Sequence, residues 1–78
     1  MLQEFSGEKL RSLRKRARLT QKQVVELAGV SEACIIYLEK GTRMPQTKTL
    51  HKILSLYSMQ IQYWKNLNAV LQEKEPNG

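Results

Sequence analysis

The stretch Thr20–Pro45, TQKQVVELAGVSEACIIYLEKGTRMP, decides the fold. Thr20 followed by Gln23 is a capping-box pattern, in which hydroxyl and amide each satisfy a free backbone N–H at a helix start. A helix therefore opens after Thr20, with Val24, Leu27 and Ala28 as its inner stripe. Gly29 ends it, because glycine reaches the left-handed conformation at least cost. Ser31 caps the next helix, and Glu32 complements the positive end of its dipole. Ile35 and Leu38 face inward with Val30, and Gly41 stops that helix before a loop in which Pro45 forbids helical continuation. The unit is two short helices joined by a tight glycine turn.

Upstream, Ser6 is an N-cap for a first helix over residues 7–18, whose Leu10, Leu13 and Ala17 recur at helical spacing. Downstream, a fourth helix is expected over residues 47–57, burying Leu50, Ile53, Leu54 and Tyr57. The next segment supports two readings. Met59, Ile61 and Tyr63 alternate with Gln60 and Gln62 as in a strand, whereas Trp64, Leu67, Val70 and Leu71 recur as in a helix. A short strand followed by a helix over residues 65–73 accommodates both, and one long helix from Met59 is the other solution. The expected fold is all-α, four to five short helices, with a short C-terminal strand in the first of these readings. Residues 1–58 form the expected helical domain, and residues 59–78 a C-terminal dimerisation or partner segment with a frayed tail.

At 78 residues the chain holds one small core, and its 41% hydrophobic content separates it from disordered polymers. Its single cysteine, Cys34, sits in an apolar run and reads as a small buried thiol rather than a nucleophile, since His51 lies in a different element. No metal-ligand cluster, phosphate-cradling glycine loop or cofactor motif occurs, so no enzymatic activity, metal or cofactor is expected. No apolar run approaches bilayer length, and a cytoplasmic protein without membrane contact is expected. Thirteen Lys and Arg against 7 Asp and Glu give a formal charge of +6. The distribution is sharper than the sum. Lys9, Arg11, Arg14, Lys15, Arg16, Arg18 and Lys22 fall in one block without an acid, which suits a polyanion such as nucleic acid or, equally, a merely solvated face.

These residues, at this spacing, resemble the Cro/CI-type helix-turn-helix (XRE) family of bacterial and phage regulators, with a lambda-repressor-like fold. The likeness covers about residues 10–56. It rests on Leu13 and Arg14, Leu19-Thr20-Gln21, Val24 and Ala28, Gly29-Val30-Ser31, Ile35, Leu38-Glu39, Gly41, Pro45 and Leu50. Two positions depart from the family pattern: Val25 stands where alanine is usual, and Arg18 where glycine is frequent.

The resemblance implies roles. Arg14 and Glu39 would form a structural ion pair. The start of the third helix would enter the major groove of double-stranded DNA, presenting Ser31, Glu32, Ala33, Ile36 and Tyr37 to base edges. Gln21 and Lys22 would meet phosphate at the start of the second helix, and Lys40, Thr42, Arg43 and Lys48 would clamp the backbone beside it. This reading face lacks Arg, Asn and Gln, the usual bidentate readers, so DNA shape is expected to carry much of any specificity.

Relatives dimerise on palindromic operators, and Met59, Ile61, Tyr63, Trp64, Leu67 and Leu71 offer more apolar surface than a four-helix head hides; a homodimer interface is expected there, the alternative being that they pack back on the first helix. A dimeric repressor acting by operator occlusion follows. The strand reading of Met59–Tyr63 is also similar to HipB-type antitoxins, which repress their own operon and bind a partner toxin. The rival from another class is a protein-interaction module that keeps the fold without specific DNA binding.

Overall fold

The computed structural model describes residues 6–42 and 45–73. Four helices follow in order: α1 (Gly7–Arg16), α2 (Gln21–Ala28), α3 (Glu32–Lys40) and α4 (Thr47–Glu73). The described residues contain no strand. α1 packs on α3 and α4, and α2 packs on the same two helices. Leu10, Ala17, Leu19, Val24, Ile35, Leu38, Ile53 and Tyr57 form the buried centre, to which every helix and the α1–α2 turn contribute.

Local chemistry sets the boundaries. Ser6 Oγ accepts from the Lys9 N–H at 3.2 Å, and Ser31 Oγ accepts from the Cys34 N–H at 3.1 Å. The capping box of α2 is complete: the Gln23 N–H donates to Thr20 Oγ1 (3.1 Å) and the Thr20 N–H to Gln23 Oε1 (2.9 Å). Gly29 and Gly41 close α2 and α3 at φ 69° and 75°, where a side chain would be strained. A third glycine matters through proximity instead. A Cβ on Gly7 would meet the Glu39 carbonyl carbon at 2.8 Å and the Gly41 nitrogen at 2.9 Å, so the start of α1 lies directly against the end of α3.

Three expectations need correction. First, α1 ends at Arg16, not at residue 18, and Arg18 adopts φ 61°. Arginine thus occupies the left-handed conformation that glycine provides in relatives. Second, Leu27 is 59% exposed. The inward face of α2 is Val24 with Val25 and Ala28 beside it, and Val25 takes the place that the sequence reading gave to Leu27. Third, the short C-terminal strand does not form. Met59–Tyr63 lie within α4, which continues without a break to Glu73, about 40 Å in length. The helix wins because Tyr57, Ile61 and Trp64, at spacings of four and three, reach the same side of α4: Tyr57 is buried and Ile61 packs on the core. A strand would send Ile61 and Trp64 to opposite faces.

Trp64 ties this long helix back to α1. Its indole Nε1–H donates to the Ala17 carbonyl at 3.0 Å, and the Arg18 guanidinium lies 4.4 Å from the ring centroid. That cation–π contact gives the left-handed Arg18 a partner that glycine could not have.

Tyr57 is 1% exposed, and its hydroxyl is buried without a hydrogen-bond partner among the described residues. Burial, aided by the nearby Glu39 carboxylate and opposed by Arg14, pushes its pKa up to about 12. The folded state therefore holds the proton where the unfolded chain releases it near pH 10. This contribution to stability is complete below pH 10 and falls as pH rises from about 10 towards 12. Tyr57→Phe is expected to remove that part of the alkaline slope. At neutral pH it should be neutral or stabilising by up to about 1 kcal/mol, since an unsatisfied hydroxyl is deleted. Urea unfolding at pH 7 and pH 10.5 checks both; a clear loss of stability at pH 7 would mean that the hydroxyl is satisfied.

Candidate nucleic-acid interface

The interface is organised around one ion pair. Arg14 donates from Nε to Glu39 Oε2 at 2.6 Å and from Nη2 to Glu39 Oε1 at 3.1 Å, a bidentate fork. Its remaining nitrogen, Nη1, donates to the Leu19 carbonyl at 2.9 Å, so α1, the α1–α2 turn and α3 meet at one guanidinium. The hydrogen bond to Glu39 holds the Arg14 pKa above its ordinary value although burial acts the other way. Gln21 Nε2 donates to Glu39 Oε1 at 3.1 Å and joins the start of α2 to the same network. The side chain expected to meet phosphate is thus half-buried and partnered within the protein. The backbone amides at the start of α2 are what that end offers an anion.

In front of this network lies a shallow depression whose walls include Arg11, Gln21, Lys22, Glu32, Ile36 and Lys40. It joins the first turn of α2, the outer side of α3 and the middle of α1. Glu32 and Ala33 are exposed, Ile36 is half-buried and Tyr37 is 43% exposed, so the reading face expected from sequence lies along one exposed side of α3. The Ser31 oxygen is engaged as the helix cap, which leaves its O–H as the group available to a ligand. Thr42 Oγ1 is directed to the Tyr37 carbonyl at 3.5 Å, and the Thr42 N–H donates to the same carbonyl at 3.2 Å. Thr42 therefore secures the end of α3 with both its donors. Arg43 lies outside the described residues.

Two placements differ from the sequence grouping. Arg11 was part of the basic block but had no assigned role, and it stands on the rim of the depression beside Lys22 and Lys40. Its position one helical turn before Arg14 was the available signal. Lys48 belongs elsewhere: it lines a second depression between α2 and α4 with Leu27, His51, Lys52, Leu56 and Met59. Of the residues expected at the dimer interface, Met59, Tyr63 and Leu71 are 70%, 55% and 55% exposed, while Ile61, Trp64 and Leu67 are half-buried.

Among the described residues, no group of three or more His, Cys, Asp or Glu side chains is placed to hold a metal ion. No helix there is long and apolar enough to cross a membrane. The surface thus offers one exposed helix end flanked by cations, set on a rigid ion-paired base. Compared with known families, residues 7–61 match the profile of a helix-turn-helix domain. No curated protein and no solved structure matches the chain.

Proposed function

Because the chain belongs to the Cro/CI-type (XRE) helix-turn-helix family and so is a DNA-binding regulator, we propose that it is a homodimeric repressor acting by operator occlusion. The exposed side of α3 lies in the major groove of a palindromic operator, and the dimer reads two half-sites about one DNA turn apart. Occupancy excludes polymerase, with no chemical step. The observation that carries this reading is the exposed start of α3, Glu32 and Ala33, beside the cationic rim of Arg11, Lys22 and Lys40. A basic groove wall next to an exposed helix is what a polyanion needs for register and orientation.

In this reading Ser31, Glu32, Ala33, Ile36 and Tyr37 face base edges, with Glu32 able to accept from cytosine N4 and Ala33 or Ile36 to pack on thymine methyls. Lys22, Lys40 and Arg43 neutralise phosphates, and the backbone amides at the start of α2 bind another. The antitoxin version drew on a strand at Met59–Tyr63, and that stretch is helical. No feature of the chain now favours it over a plain repressor.

Tyr37→Ala is expected to weaken binding to the operator by roughly 1–3 kcal/mol while leaving binding to unrelated DNA unchanged. Lys22→Ala should weaken both about equally and lower the salt slope by about one counterion. Anisotropy titrations at two salt concentrations separate the two behaviours. Equal operator affinity for a folded Tyr37→Ala variant would remove Tyr37 from the reading face. An interaction module with the same fold predicts no DNA binding even at low salt.

A further inference from the structure

The outer face of α4 carries a second apolar seam, distinct from the side that packs on the core. Leu56, Met59, Tyr63, Leu67 and Val70 recur at spacings of three and four, which sets them within one narrow stripe of the helix. Met59, Tyr63 and Val70 are 70%, 57% and 55% exposed in the order Met59, Val70, Tyr63. The seam is bordered by Ser55, Gln62 and Asn66, none of them charged, with the Gln62 side-chain amide donating to Asn66 Oδ1 at 3.0 Å. At its head the seam runs into the depression between α2 and α4, where Leu27 and Met59 form apolar walls and Lys48, His51 and Lys52 a basic rim.

Helical spacing along an exposed seam calls for a helical partner, and an apolar groove with a basic rim calls for an apolar segment carrying acid. The end of this same helix meets both demands. Val70 and Leu71 are exposed, and the acids Glu73 and Glu75 follow them in sequence. We propose that the seam is covered by α4 of a second copy running antiparallel, with the two-fold axis at Tyr63. This register sets Tyr63 against its own counterpart, Met59 against Leu67, and Leu56 against Val70, so every seam position meets an apolar one. It also brings the acidic end of each helix to the Lys48–Lys52 rim of the other. A parallel pairing would instead oppose Lys48 and Lys52 to their own copies, where like charges repel. The uncharged borders let two chains of net charge +6 approach along this face without the penalty that the basic face of α1 would impose. The inference rests on the homodimer reading and specifies its geometry.

The test is directional disulfide trapping in the full chain. Cys34, the only cysteine, is changed to alanine, and Met59→Cys and Leu67→Cys are made separately in that background. Both variants are checked for folding by circular dichroism and sedimented at equilibrium. Antiparallel pairing predicts that a mixture forms the mixed disulfide at least tenfold faster than either variant alone forms its own, because only facing side chains approach within disulfide reach. Faster self-disulfides from Met59→Cys alone would mean parallel helices and overturn the proposal. A dimer by sedimentation with no disulfide in any mixture would place the interface elsewhere; the proposal falls and the homodimer stands. A monomer at every concentration would overturn both, leaving the seam to a different protein.

Discussion

Replacing Glu39 by alanine is expected to destabilise the domain by about 3–5 kcal/mol, because it leaves the Arg14 guanidinium buried without its counter-charge. Arg14 is 9% exposed, and two of its three hydrogen bonds end on the lost carboxylate. Gln21 loses its acceptor in the same step, so the start of α2 loosens along with the α1–α3 contact. A domain of this size has little stability to spare, and a loss of that order leaves much of the population unfolded. The energy belongs to the unpaired charge rather than to the bridge as such. Arg14→Met combined with Glu39→Leu should therefore recover much of the loss, since apolar side chains of similar length fill the site without a buried ion. Urea unfolding followed by circular dichroism measures all three chains. A Glu39→Ala variant within about 1 kcal/mol of the parent would mean that the pair is solvated and does not organise the interface.

The second large effect is expected at Trp64. Trp64→Ala removes the indole hydrogen bond to the Ala17 carbonyl, the stacking of Arg18, and the apolar area between α4 and the α1–α2 turn. Full burial of such a ring is worth about 3–5 kcal/mol on truncation; for a half-buried ring about 2–3 kcal/mol is expected. Trp64→Phe keeps most of the area and deletes the donor, so its loss should be nearer 1 kcal/mol. The comparison separates packing from hydrogen bonding. Thermal unfolding of the two variants checks it, and an effect below about 0.5 kcal/mol for Trp64→Ala would show that the second half of α4 is not docked on α1. Arg18 has a stake in the same result. With the ring gone, the left-handed arginine keeps its backbone strain and loses its compensating contact, so Arg18→Gly should be better tolerated in the Trp64→Ala background than in the parent.

The parts of this fold that were legible in sequence are those written in local chemistry. Ser6, Thr20 with Gln23, and Ser31 each cap the helix that their position announces, and Gly29 and Gly41 end α2 and α3 in the left-handed conformation. These signals act within four residues, so no tertiary knowledge was needed. What was not legible depended on distant partners. Met59–Tyr63 satisfies strand alternation and helix periodicity about equally well, and the choice is made by contacts of Ile61 and Trp64 with residues more than forty positions earlier in the chain. Leu27 has the hydropathy of a core residue but lies on the outer side of α2, because Val25 turns inward. In the interface, the exposed face of α3 followed from its cap. That Gln21 is held by Glu39, that Arg11 rather than Lys48 borders the same depression, and that Thr42 is bound to the end of α3 are facts of helix packing.

The central claim is that this chain recognises a specific DNA sequence through the exposed face of α3. It is tested most directly by fluorescence-anisotropy titration of the protein against DNA from upstream of its own gene and against a scrambled duplex, each at two salt concentrations. The account predicts a preference of roughly a thousandfold or more for the upstream DNA at physiological salt, with binding to both duplexes weakening steeply as salt rises. No binding to either duplex at low salt would contradict it.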